Sequence, residues 1–202
     1  MKYKLYIKFQ SQVSFIDPIM FDSLLLSFWI KDTTGFIPSR LNIPVEEIVE
    51  LPEGLLKEKD GYYLASQLCW QHTDELQYTS YWTKHFHHKN YDKAYFKGKR
   101  KILTNKGENK SYNIPMLNRA IRDAYFVFET ENLPEVQRLL SKHLLSLGKK
   151  RNRGNGRVAD WSIEETSLPI VRPVPAENGF YIRLKPPYWE MSGSVPCEVQ
   201  EI

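Results

Sequence analysis

The sequence predicts an α+β domain in which strand, helix, two hairpin strands, strand, helix and strand follow in that order. Three observations carry this reading. Lys2–Val13 alternates polar and apolar residues, with Tyr3, Leu5, Ile7 and Phe9 on one face, as a half-buried strand does. Asp123–Glu129 (DAYFVFE) is strand-like and is followed at once by an amphipathic helix. An eleven-residue loop rich in glycine and cations, Gly148–Val158 (GKKRNRGNGRV), then separates that helix from a last strand-like run.

The elements follow from local chemistry. Asp17-Pro18 breaks the first strand, and Phe21–Lys31 (FDSLLLSFWIK) reads as a mostly buried helix ended by Thr33, Thr34 and Gly35. Pro38, Pro44 and Pro52 make residues 36–52 irregular, apart from a short helix at Val45–Val49. Asp60-Gly61 is a turn signal between Leu55-Leu56 and Tyr62–Trp70, which predicts a hairpin. Residues 71–118 form a polar, aromatic-rich and strongly basic insertion. After the DAYFVFE strand, Asn132-Leu133-Pro134 starts a helix, with proline in the first turn where it is tolerated. That helix sets Val136, Leu139, Leu140, Leu144 and Leu147 on one stripe. Beyond the glycine loop, Arg157–Glu165 is a strand with Ala159, Trp161 and Ile163 on one side. Six of the 12 prolines fall in the final 34 residues, so the tail is expected to be extended and loop-rich.

This order is the βαββαβ pattern of the ferredoxin-like (RRM-like) fold. The expectation is one domain over 1–202, with a thumb-like hairpin insertion at 71–118 and a proline-rich extension at 166–202. Many RNA-binding modules are built on that scaffold, although a fold alone licenses no function.

Composition is that of an ordinary globule, with 42% hydrophobic and 26% charged residues. The N-terminus lacks the apolar block of a signal peptide, and the longest apolar stretch, Leu24–Ile30, is too short to span a bilayer. Cys69 and Cys197 have no framework spacing, so a cytoplasmic location without membrane attachment is expected. The net charge of +4 hides an asymmetry. Residues 84–113 carry nine Lys or Arg against two acids, and the glycine loop adds five cations, which leaves the rest of the chain at −8. Cations concentrated in two segments are the footprint of a nucleic-acid partner.

The loop is the strongest single signal. Glycines without a Cβ let backbone amides approach a polyanion, and the cations Lys149, Lys150, Arg151, Arg153 and Arg157 neutralise phosphates. A dinucleotide-binding loop opens a helix, whereas this one follows a helix, and no Gly-Lys-Ser/Thr ending marks a nucleoside triphosphate loop. The plainer reading makes Gly148 a helix C-cap and the cations a solvated turn, and the two readings are compatible. In the insertion, Lys84, Lys89, Lys97, Lys99, Arg100 and Lys101 interleave with Tyr81, Trp82, Phe86, Tyr91, Tyr95, Phe96 and Tyr112. Cations alternating with rings suit a single strand, since stacking one base on a ring is worth about 1–3 kcal/mol.

Other residues suggest other chemistry. His85, His87 and His88 are RNA contacts as phosphate donors; as general acid/base groups they would make the chain a metal-independent endoribonuclease. Cys69, His72, His85 and His88 superficially match a zinc spacing, but a lone Cys in an apolar run usually acts as a small hydrophobe. No metal or cofactor is assigned, and Asp17, Asp22, Glu164 and Glu165 have no paired spacing for hydrolysis. Pro186–Trp189 (PPYW) reads as a rigid plug of the core, with a subunit or DNA contact as the other reading.

Four segments resemble a known family: Asp17–Trp29, Gly148–Glu165, Arg172–Pro175 (RPVP) and Pro186–Trp189. The loop resembles that of the repeat-associated RNA-binding (RAMP) superfamily. The combination is similar to the small subunit that caps the guide RNA 5′ handle in type IV CRISPR effector complexes. The resemblance implies a non-catalytic subunit of a defence ribonucleoprotein. It would hold the crRNA 5′ handle through Gly148, Gly154, Asn155, Gly156 and the loop cations, contact a backbone and a large subunit, and meet target DNA through the complex. Asn155 departs from the family pattern, which places an apolar residue between the close glycines. Two consequences are open: looser docking of the loop, or a bond from the Asn amide to RNA. A maturing endoribonuclease and a nucleic-acid-binding module unrelated to CRISPR remain the alternatives.

Overall fold

The computed structural model describes residues 1–15, 17–35, 50–70, 76–85, 110–149, 151–188 and 190–202. The short helix expected at Val45–Val49 lies outside them. Strand dominates. Lys2–Phe9 (β1) is the centre of a three-stranded antiparallel sheet, between Asp123–Glu129 (β6) and Val158–Glu165 (β7). Three separate two-stranded ribbons complete the strands: Glu58–Lys59 (β2) with Tyr62–Tyr63 (β3), Leu76–Lys84 (β4) with Tyr112–Ala120 (β5), and Val171–Ile182 (β8) with Val195–Glu201 (β9). Among the described residues there are two α-helices, Phe21–Thr34 (α1) and Leu133–His143 (α2).

The expected ferredoxin-like βαββαβ fold is therefore corrected to a mostly-β arrangement with four separate sheets among the described residues. Two local causes account for the difference. The segment expected as a regular strand, Tyr62–Trp70, joins β6 only through isolated bridges, Ala65 to Phe128 and Cys69 to Tyr125. Between them the Ser66 hydroxyl, not its carbonyl, accepts from the Val127 amide at 2.8 Å, which interrupts the ladder. The proline-rich tail, expected as loop, instead forms a ribbon that holds the longest described strand, β8. Each strand of a two-stranded ribbon has a free edge, and there Pro173, Pro175 and Pro196 need no ladder hydrogen bond.

The first strand also ends earlier than its alternation promised. Tyr3, Leu5 and Ile7 are buried, but the register shifts at Lys8/Phe9 and β1 stops there. Helix α1 ends as expected on Gly35, whose φ of 69° closes a backbone bond to the Lys31 carbonyl. Helix α2 starts on Asn132, whose side chain accepts from the Glu135 amide. Its Val136, Leu139 and Leu140 are fully buried in one core with Phe21, Leu25, Phe126 and Phe128. The two helices are tied by Asp32, which pairs with Arg138 at 2.7 Å and with Lys142. These cations hold the Asp32 carboxyl well below the usual carboxylate range.

A buried polar hub docks the C-terminal ribbon onto this core. Arg172 and Asp22 are both 0% exposed. The Arg172 guanidinium lies 3.7 Å from the Asp22 carboxylate and donates to the carbonyls of Tyr63 and, at 3.0 Å, Leu184. It also stacks over the Tyr62 ring at 4.7 Å. The Tyr188 hydroxyl donates to Asp22 at 2.5 Å. Burial pushes the Asp22 carboxyl up to about 6 against the opposing pull of Arg172. Three of the segments that carry the family resemblance, around Asp22, Arg172 and Tyr188, thus meet at one point in the interior. Trp189 lies outside the described residues.

Candidate nucleic-acid interface

The glycine loop is built on left-handed glycines and one tight turn. Gly148, Gly154 and Gly156 take positive φ of 85°, 85° and 65°, and Arg151–Arg153 forms a single 3-10 turn closed by the Gly154 amide on the Arg151 carbonyl at 3.0 Å. The glycines differ in what they face. A Cβ on Gly156 would lie 1.7 Å from the Leu147 carbonyl oxygen, and one on Gly148 would lie 2.6 Å from the Ser14 carbonyl oxygen. A Cβ on Gly154 would meet nothing within 4 Å. Two of the three close approaches anticipated for RNA are thus approaches to the protein's own backbone, and only Gly154 opens outward.

A strap of five residues, Gln10–Ser14, holds the loop in place. The Gly156 amide donates to the Gln12 carbonyl and the Lys149 amide to the Ser14 carbonyl, both at 2.6 Å. The Gln10 amide donates to the Arg157 carbonyl at 2.8 Å. The Ser11 hydroxyl donates to the Gly154 carbonyl at 2.6 Å and accepts from the Arg157 amide at 2.9 Å. Asn155 is buried, and its side-chain oxygen accepts from the Gln12 side-chain Nε2 at 3.3 Å. The departure from the family pattern therefore has a third consequence, a polar clamp onto the strap.

The loop is docked inward through Lys149, Gly156 and Arg157 and turns its described cations outward. Lys149, Arg151 and Arg157 are exposed, and Lys149 has only the exposed Asp17 at 3.7 Å as an ion-pair partner among the described residues. Lys150 and the Arg153 side chain lie outside what the structure describes.

The strap also carries the root of the basic ribbon. Val13 and Arg119 exchange both backbone hydrogen bonds at 2.9 Å, so the end of β5 runs beside the strap on the side away from the loop. Arg119 stacks on the Phe15 and Trp70 rings at 5.1 and 5.2 Å, which anchors that root. Along the ribbon Tyr81 is 59% exposed, Lys84 lies 6.0 Å over the Tyr112 ring, and His85 is exposed. His87, His88, Lys89, Lys97, Lys99, Arg100 and Lys101 fall outside the described residues, as do Phe86, Tyr91, Tyr95 and Phe96. So do two residues of the zinc spacing, His72 and His88. Burial pushes the Cys69 thiol up to about 11.

Between the strap and the β5–β6 turn lies an open cleft of about 430 Å³, lined by Phe9, Gln10, Ser11, Gln12, Ile121 and Arg122 among others. Arg122 is exposed and its guanidinium forms no ion pair among the described residues. Comparison with protein-family models and with curated proteins finds no match for this chain. No helix among the described residues is long and apolar enough to cross a membrane.

The strap residues were not singled out from the sequence, where they read as the end of the first strand. The signal was the run Gln10-Ser11-Gln12, which breaks the alternation with three hydrogen-bonding side chains in a row. Loop, strap, cleft and ribbon root form one continuous surface. It offers exposed cations and one outward glycine, and it suits the backbone of a polyanion.

Proposed function

We propose that this chain is a non-catalytic RNA-binding subunit that holds the 5′ end of the guide RNA in a type IV CRISPR ribonucleoprotein. One observation carries the RNA reading. A loop docked through the backbone of Lys149, Gly156 and Arg157 presents Lys149, Arg151 and Arg157 to solvent. Cations on a backbone that is already docked neutralise phosphates at less cost in ordering the protein. The narrower CRISPR reading is supported by the resemblance of the loop and the three other segments. Partners on this reading are the guide RNA, a backbone subunit, a large subunit and, through the complex, target DNA.

The test is co-purification with candidate backbone and large subunits, followed by sequencing of the bound RNA. The expected result is a uniform repeat-derived 5′ end and a precursor left intact by the isolated subunit, with or without chelator. Cleavage within the repeat that is lost on His85→Ala, His87→Ala or His88→Ala would make the chain a nuclease instead. Bound RNA without any repeat sequence would leave a general nucleic-acid binder.

A further inference from the structure

We infer that Ser11 is the positioning residue that sets Arg151 for its phosphate contact. The inference rests on the RNA reading above and names the strap side chain on which one of the outward cations depends. Those cations are not held alike. The Lys149 amide donates to the Ser14 carbonyl at 2.6 Å, and the Arg157 carbonyl accepts from the Gln10 amide at 2.8 Å, so both are docked by backbone alone. The Arg151–Arg153 turn has no backbone bond to the strap among the described residues. Its one backbone bond, from the Gly154 amide to the Arg151 carbonyl at 3.0 Å, closes the turn on itself. What joins that turn to the strap is the Ser11 hydroxyl, which donates to the Gly154 carbonyl at 2.6 Å. Gln12 clamps Asn155, the next residue, and leaves the turn itself to Ser11.

A hydroxyl suits this duty because it carries one donor and two acceptor sites. The Arg157 amide takes an acceptor site of Ser11 at 2.9 Å, which leaves the proton for the Gly154 carbonyl. A chain of hydrogen bonds thus runs from the Arg151 carbonyl through Gly154 to Ser11 and on to the Arg157 amide. It sets the backbone of Arg151 against that of Arg157, so that the two cations are offered to one strand together. Packing does not do this work. Arg151 and Asn152 are exposed, and a Cβ on Gly154 would meet nothing within 4 Å. Without the hydroxyl, ordering of the turn falls to the RNA and is subtracted from affinity.

The test measures binding of fluorescein-labelled rU8 by the full chain, read by anisotropy across a salt series with melting followed in parallel. Ser11→Ala and Arg151→Gln are each expected to reduce the steepness of log affinity against log salt by about 0.7, one phosphate, and to weaken binding about fivefold at about 0.1 M salt. The double variant is expected to lose that same single phosphate, because Ser11 acts through Arg151. Ser11→Thr, which keeps the hydroxyl, is expected to bind like the parent. Three results overturn the inference and leave the RNA reading standing: a Ser11→Ala slope equal to the parent's, losses that add in the double variant, or a Ser11→Thr loss equal to that of Ser11→Ala. Should Ser11→Ala be unfolded, Ser11→Cys, which keeps the bulk and bonds only weakly, supplies the same readout. Unfolding of both also overturns the inference, since the hydroxyl then belongs to the fold. A parent that binds rU8 without salt dependence, or not at all, overturns both readings.

Discussion

The sharpest structural prediction sets Gly156 against Gly154. Both have positive φ, so an alanine at either position meets a left-handed backbone cost of about 1–2 kcal/mol. At Gly154 this is the whole cost, because nothing lies within 4 Å of the added methyl, and lower entropy of the unfolded chain offsets part of it. Gly154→Ala should therefore destabilise by about 1 kcal/mol. At Gly156 the methyl would fall 1.7 Å from the Leu147 oxygen, so the two backbone segments must part. That movement breaks the bonds from Leu147 to Gly156 at 2.8 Å and from Gly156 to Gln12 at 2.6 Å, each worth about 1 kcal/mol net. Gly156→Ala should cost roughly 3–4 kcal/mol in all. Urea unfolding followed by tryptophan fluorescence measures both. Equal costs at the two positions would refute the docking of the loop onto its strap. The difference also chooses the probe for RNA: Gly154→Val should lower RNA affinity with the fold intact, whereas any loss in Gly156→Val mixes folding with binding.

The buried hub gives two further predictions. Folded Asp22 holds its proton more tightly than the unfolded chain does, so the stability it contributes is full below its ordinary 3.8 and is lost as pH rises through about 6. Between pH 4 and pH 7 the parent should lose about 2–3 kcal/mol more than Asp22→Asn in urea titrations, and parallel pH profiles would contradict this. Arg172→Met should cost about 3–5 kcal/mol at pH 7 by stranding the Asp22 carboxylate, and less at pH 4, where that carboxyl is neutral. An equal loss at both pH values would mean that Arg172 acts by packing alone.

How much of this was legible beforehand depends on the range of the interaction. Local rules located both helices, Gly35 as the end of the first and Asn132 as the start of the second, because propensity and capping act within a few residues. The Asp60-Gly61 hairpin followed for the same reason. The fold class did not follow. Whether Tyr62–Trp70 pairs as a strand depends on Ser66 replacing a ladder bond with its hydroxyl, a choice made across the sheet at Val127. The β8–β9 ribbon was hidden because proline counts against strands in general but not at a free edge. The PPYW plug turned Tyr188 toward the core, but its partners could not be read, since Asp22, Arg172 and Tyr188 lie up to 166 positions apart. In the loop, composition showed the cations and the glycines. It could not show that Gly148 and Gly156 serve the loop's own docking, which is visible only once Gln10–Ser14 is folded against it.

The central claim is that the outward cations of the glycine loop hold RNA. The most direct measurement is binding of rU8 by Arg151→Glu/Arg157→Glu across a salt series, with melting followed in parallel. Both residues are exposed and their side chains support no described contact, so melting should match the parent. Losing two phosphate contacts should reduce the steepness of log affinity against log salt by about 1.4, at about 0.7 per phosphate on a single strand, and weaken binding at least tenfold. A variant that folds, binds as tightly and keeps the parent's slope would show that the loop is only a charged turn.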